Sequence, residues 1–98
     1  MIVVAAKFVA KAGRKNEVSR LAATVAPPSR AEAGCMSYNF YEQPGADECL
    51  FLEEWADQTA LDEHFQTPHF LAFAKHLPEM IVGAAKIRVY EISGMRDL

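Results

Sequence analysis

Ninety-eight residues leave room for one domain, spanning 1–98, and no second core. Hydrophobic residues at 51% exclude a disordered chain, and no apolar run approaches the roughly 20 residues of a membrane span. A formal charge of −3, with ten basic residues scattered among thirteen acidic ones, excludes the basic stripe of a nucleic-acid binder and favours a small neutral or apolar partner.

Residues 2–11 are a β-branched and small apolar run broken at Gly13, which predicts a strand. No basic segment precedes that run, so no secretory signal is expected. From Gly13 the period changes: Val18, Leu21, Ala22 and Val25 share one helical face, and Arg14, Lys15, Glu17 and Arg20 take the solvated one. Pro27-Pro28 is expected to interrupt that helix, because proline lacks the amide donor, with a helical turn resuming over 29–33. Residues 35–43 and 48–56 read as a hairpin around Pro44-Gly45-Ala46-Asp47. Asp57 is a candidate N-cap for a helix carrying Leu61, His64 and Phe65. Thr67-Pro68 starts another, bearing Phe70, Leu71, Phe73, Ala74 and Leu77. Residues 85–93 alternate towards a last strand.

The order β-α-β-β-α-β predicts an α+β, ferredoxin-like split βαβ fold, an antiparallel sheet with helices on one face. In the first strand Ile2, Val4, Ala6 and Phe8 point one way and Val3, Ala5 and Val9 the other, and both sets are apolar. A solvated face would alternate with polar residues, so a homodimer packed sheet to sheet is expected.

Pairing Gln43 with Glu48 sets Tyr38 opposite Glu53, Phe40 opposite Phe51 and Met36 opposite Trp55 on one face. Ser37, Asn39 and Tyr41 then lie with Leu50, Leu52 and Glu54 on the other. Cys35 and Cys49 are too far apart in this register for a disulfide, and two cysteines without a Cys-x-x-Cys point to a reducing cytoplasm. Glu53 lies between Phe51 and Trp55, where desolvation would raise its pKa. A hydrogen bond to Tyr38 or to a helix side chain explains it equally well.

His64 shares a face with Leu61 and Phe65 and should point at the sheet surface of Trp55. A neutral imidazole there can take a proton from a phenol-like substrate near pH 7, with Glu53 and Tyr38 as neighbours that orient it. A satisfied core histidine is the plainer alternative. His69 and His76 read as surface or capping residues. His64 and His69 are five apart across a helix break, so the i,i+4 metal pair is absent and no metal site is expected. No phosphate loop or nucleophile elbow occurs.

Arg30-Ala31-Glu32-Ala33-Gly34-Cys35 with Tyr38, Glu53-Glu54-Trp55, and Ala60 through Phe70 with its His-x-x-Thr-Pro-His-Phe block resemble the antibiotic biosynthesis monooxygenase-like family. The resemblance implies a dimeric α+β barrel. It also implies a small monooxygenase that oxidises a quinol or polyphenol with dioxygen and no bound cofactor, in a pocket between sheet and helices. It implies His64 as the pocket histidine, with Glu53 and Trp55 lining the same cavity; His64, as base, and Glu53 are accordingly the candidate catalytic residues, and Trp55, Tyr38, Phe51, Phe40 and Asn39 the candidate substrate contacts. The haem-degrading branch carries an asparagine on the first strand that this chain lacks. The same block is similar to an isomerase branch acting on a phosphorylated signal sugar, for which Lys7, Arg30 and Arg88 are the available cations. A non-catalytic dimeric binding module is the third alternative.

Overall fold

Alternation decides the two sides of the sheet. Along β1 (Ile2–Val9), Ile2, Val4 and Phe8 are buried while Lys7 and Val9 are exposed, so one side meets the helices and the other does not. The protein is described by a computed structural model covering residues 1–98. β1 is followed by α1 (Lys15–Arg30), β2 (Cys35–Glu42), β3 (Glu48–Trp55), α2 (Gln58–His64), α3 (Pro68–His76), a 3-10 turn over Leu77–Met80 and β4 (Lys86–Glu91). The strands lie in the order β2-β3-β1-β4, each pair antiparallel, with the helices packed on one face. This is the expected ferredoxin-like α+β fold.

The hairpin keeps the expected register from Ser37 to Glu42, with Tyr38 opposite Glu53 and Phe40 opposite Phe51. It departs at one point. A bulge between Cys35 and Ser37 pairs Cys35, rather than Met36, with Trp55, and leaves Met36 57% exposed. Pro27 and Pro28 do not interrupt α1, which runs on to Arg30. The carbonyls that lose their amide donors belong to Ala23 and Thr24, on the exposed side of the helix where water can replace them. On the buried side Ser29 Oγ donates to the Val25 carbonyl at 2.6 Å. The end strands are shorter than expected: β1 stops at Val9, where the chain turns through Gly13 at φ +77, and β4 covers only 86–91. Leu71, counted on the apolar face of α3, is instead 55% exposed; Phe73 and Leu77 make that contact.

Candidate active site

Trp55 closes β3, fully buried, and its indole Nε1 donates to Glu53 Oε1 at 3.0 Å. Glu53 is therefore satisfied by its neighbour on the same face rather than by Tyr38 or a helix side chain. Burial raises its carboxyl to about 7, the indole hydrogen bond opposing that in part. Tyr38, also buried, stands edge-on to Trp55 with ring centroids 6.2 Å apart. Burial first, then the Glu53 charge, push its phenol well above the ordinary range.

His64 ends α2 inside this aromatic wall, its ring 4.6 Å from Trp55, 5.3 Å from Tyr38 and 5.0 Å from Phe70 between centroids. The carboxylate that orients it is not Glu53. Glu32, in the loop between α1 and β2, puts Oε2 at 2.7 Å from His64 Nδ1 and at 2.8 Å from His69 Nε2. A carboxylate only accepts hydrogen bonds, so His64 carries its proton on Nδ1. Nε2 is left bare, buried and without a partner. Burial holds the imidazole below its ordinary pKa, and the Glu32 hydrogen bond counteracts this only in part.

Two local devices bring these groups together. Gly34 lies so close to Ala60 that a Cβ there would collide with the alanine methyl, and its carbonyl accepts from Ala56 N at 2.8 Å. Ala60 and His64 are one helical turn apart, so the loop that touches the first delivers Glu32 to the second. The second device is the α2–α3 junction. The His64 carbonyl accepts from both Thr67 N, at 3.1 Å, and Thr67 Oγ1, at 2.7 Å, while that Oγ1 caps α3 by accepting from Phe70 N at 3.3 Å. Pro68 takes the first helical position, where its missing donor costs nothing. The helix break that separates His64 from His69 in sequence thus turns α3 so that both rings reach Glu32. His69 is neither a cap nor free at the surface, as the sequence led us to expect, and the Nδ1, Nε2 and Oε2 atoms of the three residues lie within 4.8 Å of one another.

Of the expected site residues, Tyr38, Glu53, Trp55, Phe51 and His64 form one buried cluster. Phe40 is half-buried at its end, 5.0 Å from Phe51. Asn39 lies on the opposite face, where its Oδ1 accepts from Arg30 at 3.3 Å. A cavity of about 530 Å³ lies at the far end of the sheet, among Lys7, Phe8, Tyr41, Cys49 and Lys86. Another of about 280 Å³ runs along β2 beside Arg30, Cys35 and Tyr38. Neither is lined by His64, Glu53 or Trp55. Glu32, within the Arg30–Cys35 stretch, was not foreseen as the partner of His64, because a loop residue 32 positions away carries no periodic signal.

Residues 1–76 match the family described as antibiotic biosynthesis monooxygenase. The chain belongs to that family. An uncharacterized Synechocystis protein, sll1783, is 42% identical over 98 residues, which is 99% of this chain and 67% of the relative. The "Putative monooxygenase Rv0793" of Mycobacterium tuberculosis is 30% identical over 90% of this chain and 87% of its own length. The solved structure of Rv0793 superposes with a TM-score of 0.92, covering 98% of each chain. The "Putative monooxygenase YcnE" of Bacillus subtilis is 30% identical over 95% of this chain and 99% of its own. Membership of the antibiotic biosynthesis monooxygenase family supports a monooxygenase-type activity on a small molecule.

Proposed function

We propose that the protein oxidises a small aromatic quinol or polyphenol with dioxygen, using no bound cofactor, and that His64 is the base. The observation that carries this reading is the bare Nε2 of a fully buried histidine whose other nitrogen is tied to a carboxylate. A ring held in that tautomer presents a lone pair to its aromatic surroundings and can take a phenolic proton. The phenolate so formed is electron-rich enough to reduce dioxygen directly. One oxygen atom enters the ring and the other leaves as water: a naphthoquinol and dioxygen give a hydroxynaphthoquinone and water. All four electrons come from the substrate.

Trp55, Tyr38 and Phe51 form the apolar wall that keeps water from the intermediates, and Glu53, its carboxyl raised by burial to about 7, is partly protonated at neutral pH. Phe65 and Phe70 are only half-buried, and they are the side by which a flat substrate would enter. Phe40 extends that wall. Asn39, on the opposite face, reaches a substrate only through a second copy. That copy would pack on the uncovered sheet face, where Val9, Tyr41, Leu52 and Tyr90 are all more than a third exposed. The isomerase reading lacks a cation for its phosphate: Lys7 and Arg88 lie on the uncovered face, and Arg30 is bonded to the Tyr38 carbonyl.

Oxygen uptake by metal-stripped protein against reduced naphthoquinols and polyphenols tests the proposal, with spontaneous oxidation subtracted. Uptake above background should fall by 100-fold or more in His64→Ala, in line with loss of a general base. No uptake across the panel, or full activity in the variant, overturns it.

A further inference from the structure

Three side chains from three separate elements aim one atom each at a common point. Oε2 of Glu32 comes from the α1–β2 loop, Nδ1 of His64 from the end of α2 and Nε2 of His69 from the first turn of α3, all within 4.8 Å of one another. A carboxylate has two oxygens between which two imidazoles could divide, yet both histidines address the same one, at 2.7 and 2.8 Å. The backbone that carries the two histidines is held by the Thr67 hydrogen bonds at the α2–α3 junction, to which Glu32 does not contribute. From this convergence we propose that Glu32, His64 and His69 bind a divalent transition cation, Zn²⁺ being the representative.

Two imidazoles and a carboxylate suit Zn²⁺, Cu²⁺, Ni²⁺ or Fe²⁺, and not Mg²⁺ or Ca²⁺, which prefer oxygen alone. Metal–ligand bonds of about 2.0–2.2 Å in a tetrahedral array set the ligand atoms roughly 3.4 Å apart. The two short separations must therefore open by about 0.6 Å, the difference between that spacing and the present one. His64, with its side chain 1% exposed, is held by the core; Glu32 at 15% and His69 at 20% are the two that can yield, and on their side the cation enters. Three protein ligands leave a fourth position for water.

Binding also rewrites the histidine. A metal on Nδ1 takes that lone pair, so a neutral His64 must move its proton to Nε2. The N–H then lies among the Trp55, Tyr38 and Phe70 rings, whose centroids are 4.6 to 5.3 Å from that of the imidazole. An occupied site is thus a site without the bare nitrogen, and where His64 is the base, Zn²⁺ inhibits; that consequence alone rests on the proposed oxygenase reading.

Calorimetric titration of the metal-free protein with Zn²⁺ is the test, with ¹⁵N NMR of the imidazoles as a readout that needs no activity. One equivalent should bind, Mg²⁺ should not, and His64 Nε2 should change from unprotonated to protonated. Affinity should drop at least tenfold in His69→Ala and in Glu32→Gln, and stay unchanged in His76→Ala, whose histidine is exposed and outside the cluster. Absence of Zn²⁺ binding up to millimolar concentration, or equal binding in all three variants, overturns the site. Loss of oxygen uptake in step with Zn²⁺ occupancy supports the inhibitory consequence, and full uptake at full occupancy overturns it. A protein that binds Zn²⁺ as described yet never consumes oxygen retains the metal site and loses the oxygenase.

Discussion

Glu53 illustrates how a single carboxyl can set a pH profile. Its pKa is about 7 in the folded chain, because burial penalises the charge more than the Trp55 indole stabilises it. The unfolded value is lower, near 4.3. Between those values the folded state holds more protons at this site, so the contribution of Glu53 to stability is greatest below about pH 4.3 and is lost as pH rises towards 7. A difference of this size corresponds to about 4 kcal/mol for this group. Glu53→Gln keeps the acceptor for the indole and removes the titration. Denaturant unfolding at pH 5 and pH 8 should show the variant less pH-dependent than the parent and more stable than it at pH 8. Equal slopes in the two proteins would mean that Glu53 ionises at no cost. This carboxyl was legible in the sequence, because its neighbours on the strand face, Phe51 and Trp55, declare its surroundings. Glu32 was not, since nothing about an acid in a short loop says which helix end it will meet.

Between elements, the contact that matters is the smallest. Gly34 packs against Ala60 with no room for a methyl group, and that fit sets the distance from the Glu32 loop to α2. Gly34→Ala should push the loop outwards, lowering stability by roughly 1–3 kcal/mol, as overpacking does. It should also weaken the Glu32–His64 hydrogen bond and depress oxygen uptake. Equilibrium denaturation measures the first effect; an unchanged midpoint would show that the loop moves aside freely. Element types and order were readable from periodicity, turn chemistry and the Asp57 and Thr67 caps, both of which make the expected hydrogen bonds. The proline pair was misread because its cost depends on which side of the helix loses the donors. Sequence gives the loss, and only the packed structure gives the side.

The whole chain leaves one sheet face uncovered. Apolar alternation on both sides of β1 foretold such a face, but nothing in one copy can show what covers it. Light scattering at micromolar concentration should give twice the mass of the chain, and charged substitutions at Leu52 and Val9 together should shift it towards the monomer. A monomeric parent would remove Asn39 from any site and leave the face to another partner. The fold was legible because it follows from local patterns repeated over strands of six to eight residues. The convergence of Glu32, His64 and His69 was not, because it depends on how α2 and α3 meet.

The bulge at Met36 separates two demands that would otherwise conflict. From Ser37 onwards β2 keeps the pairing its turn dictates, whereas Cys35 must meet Trp55 so that Gly34 can reach Ala60. An unbroken ladder would satisfy the first and carry the Glu32 loop one residue, about 3.3 Å, along the strand with its side chains turned over. Met36 is slack in the chain. One residue outside the pairing lets the turn end of the hairpin and the Glu32 loop each keep its own position against the helices.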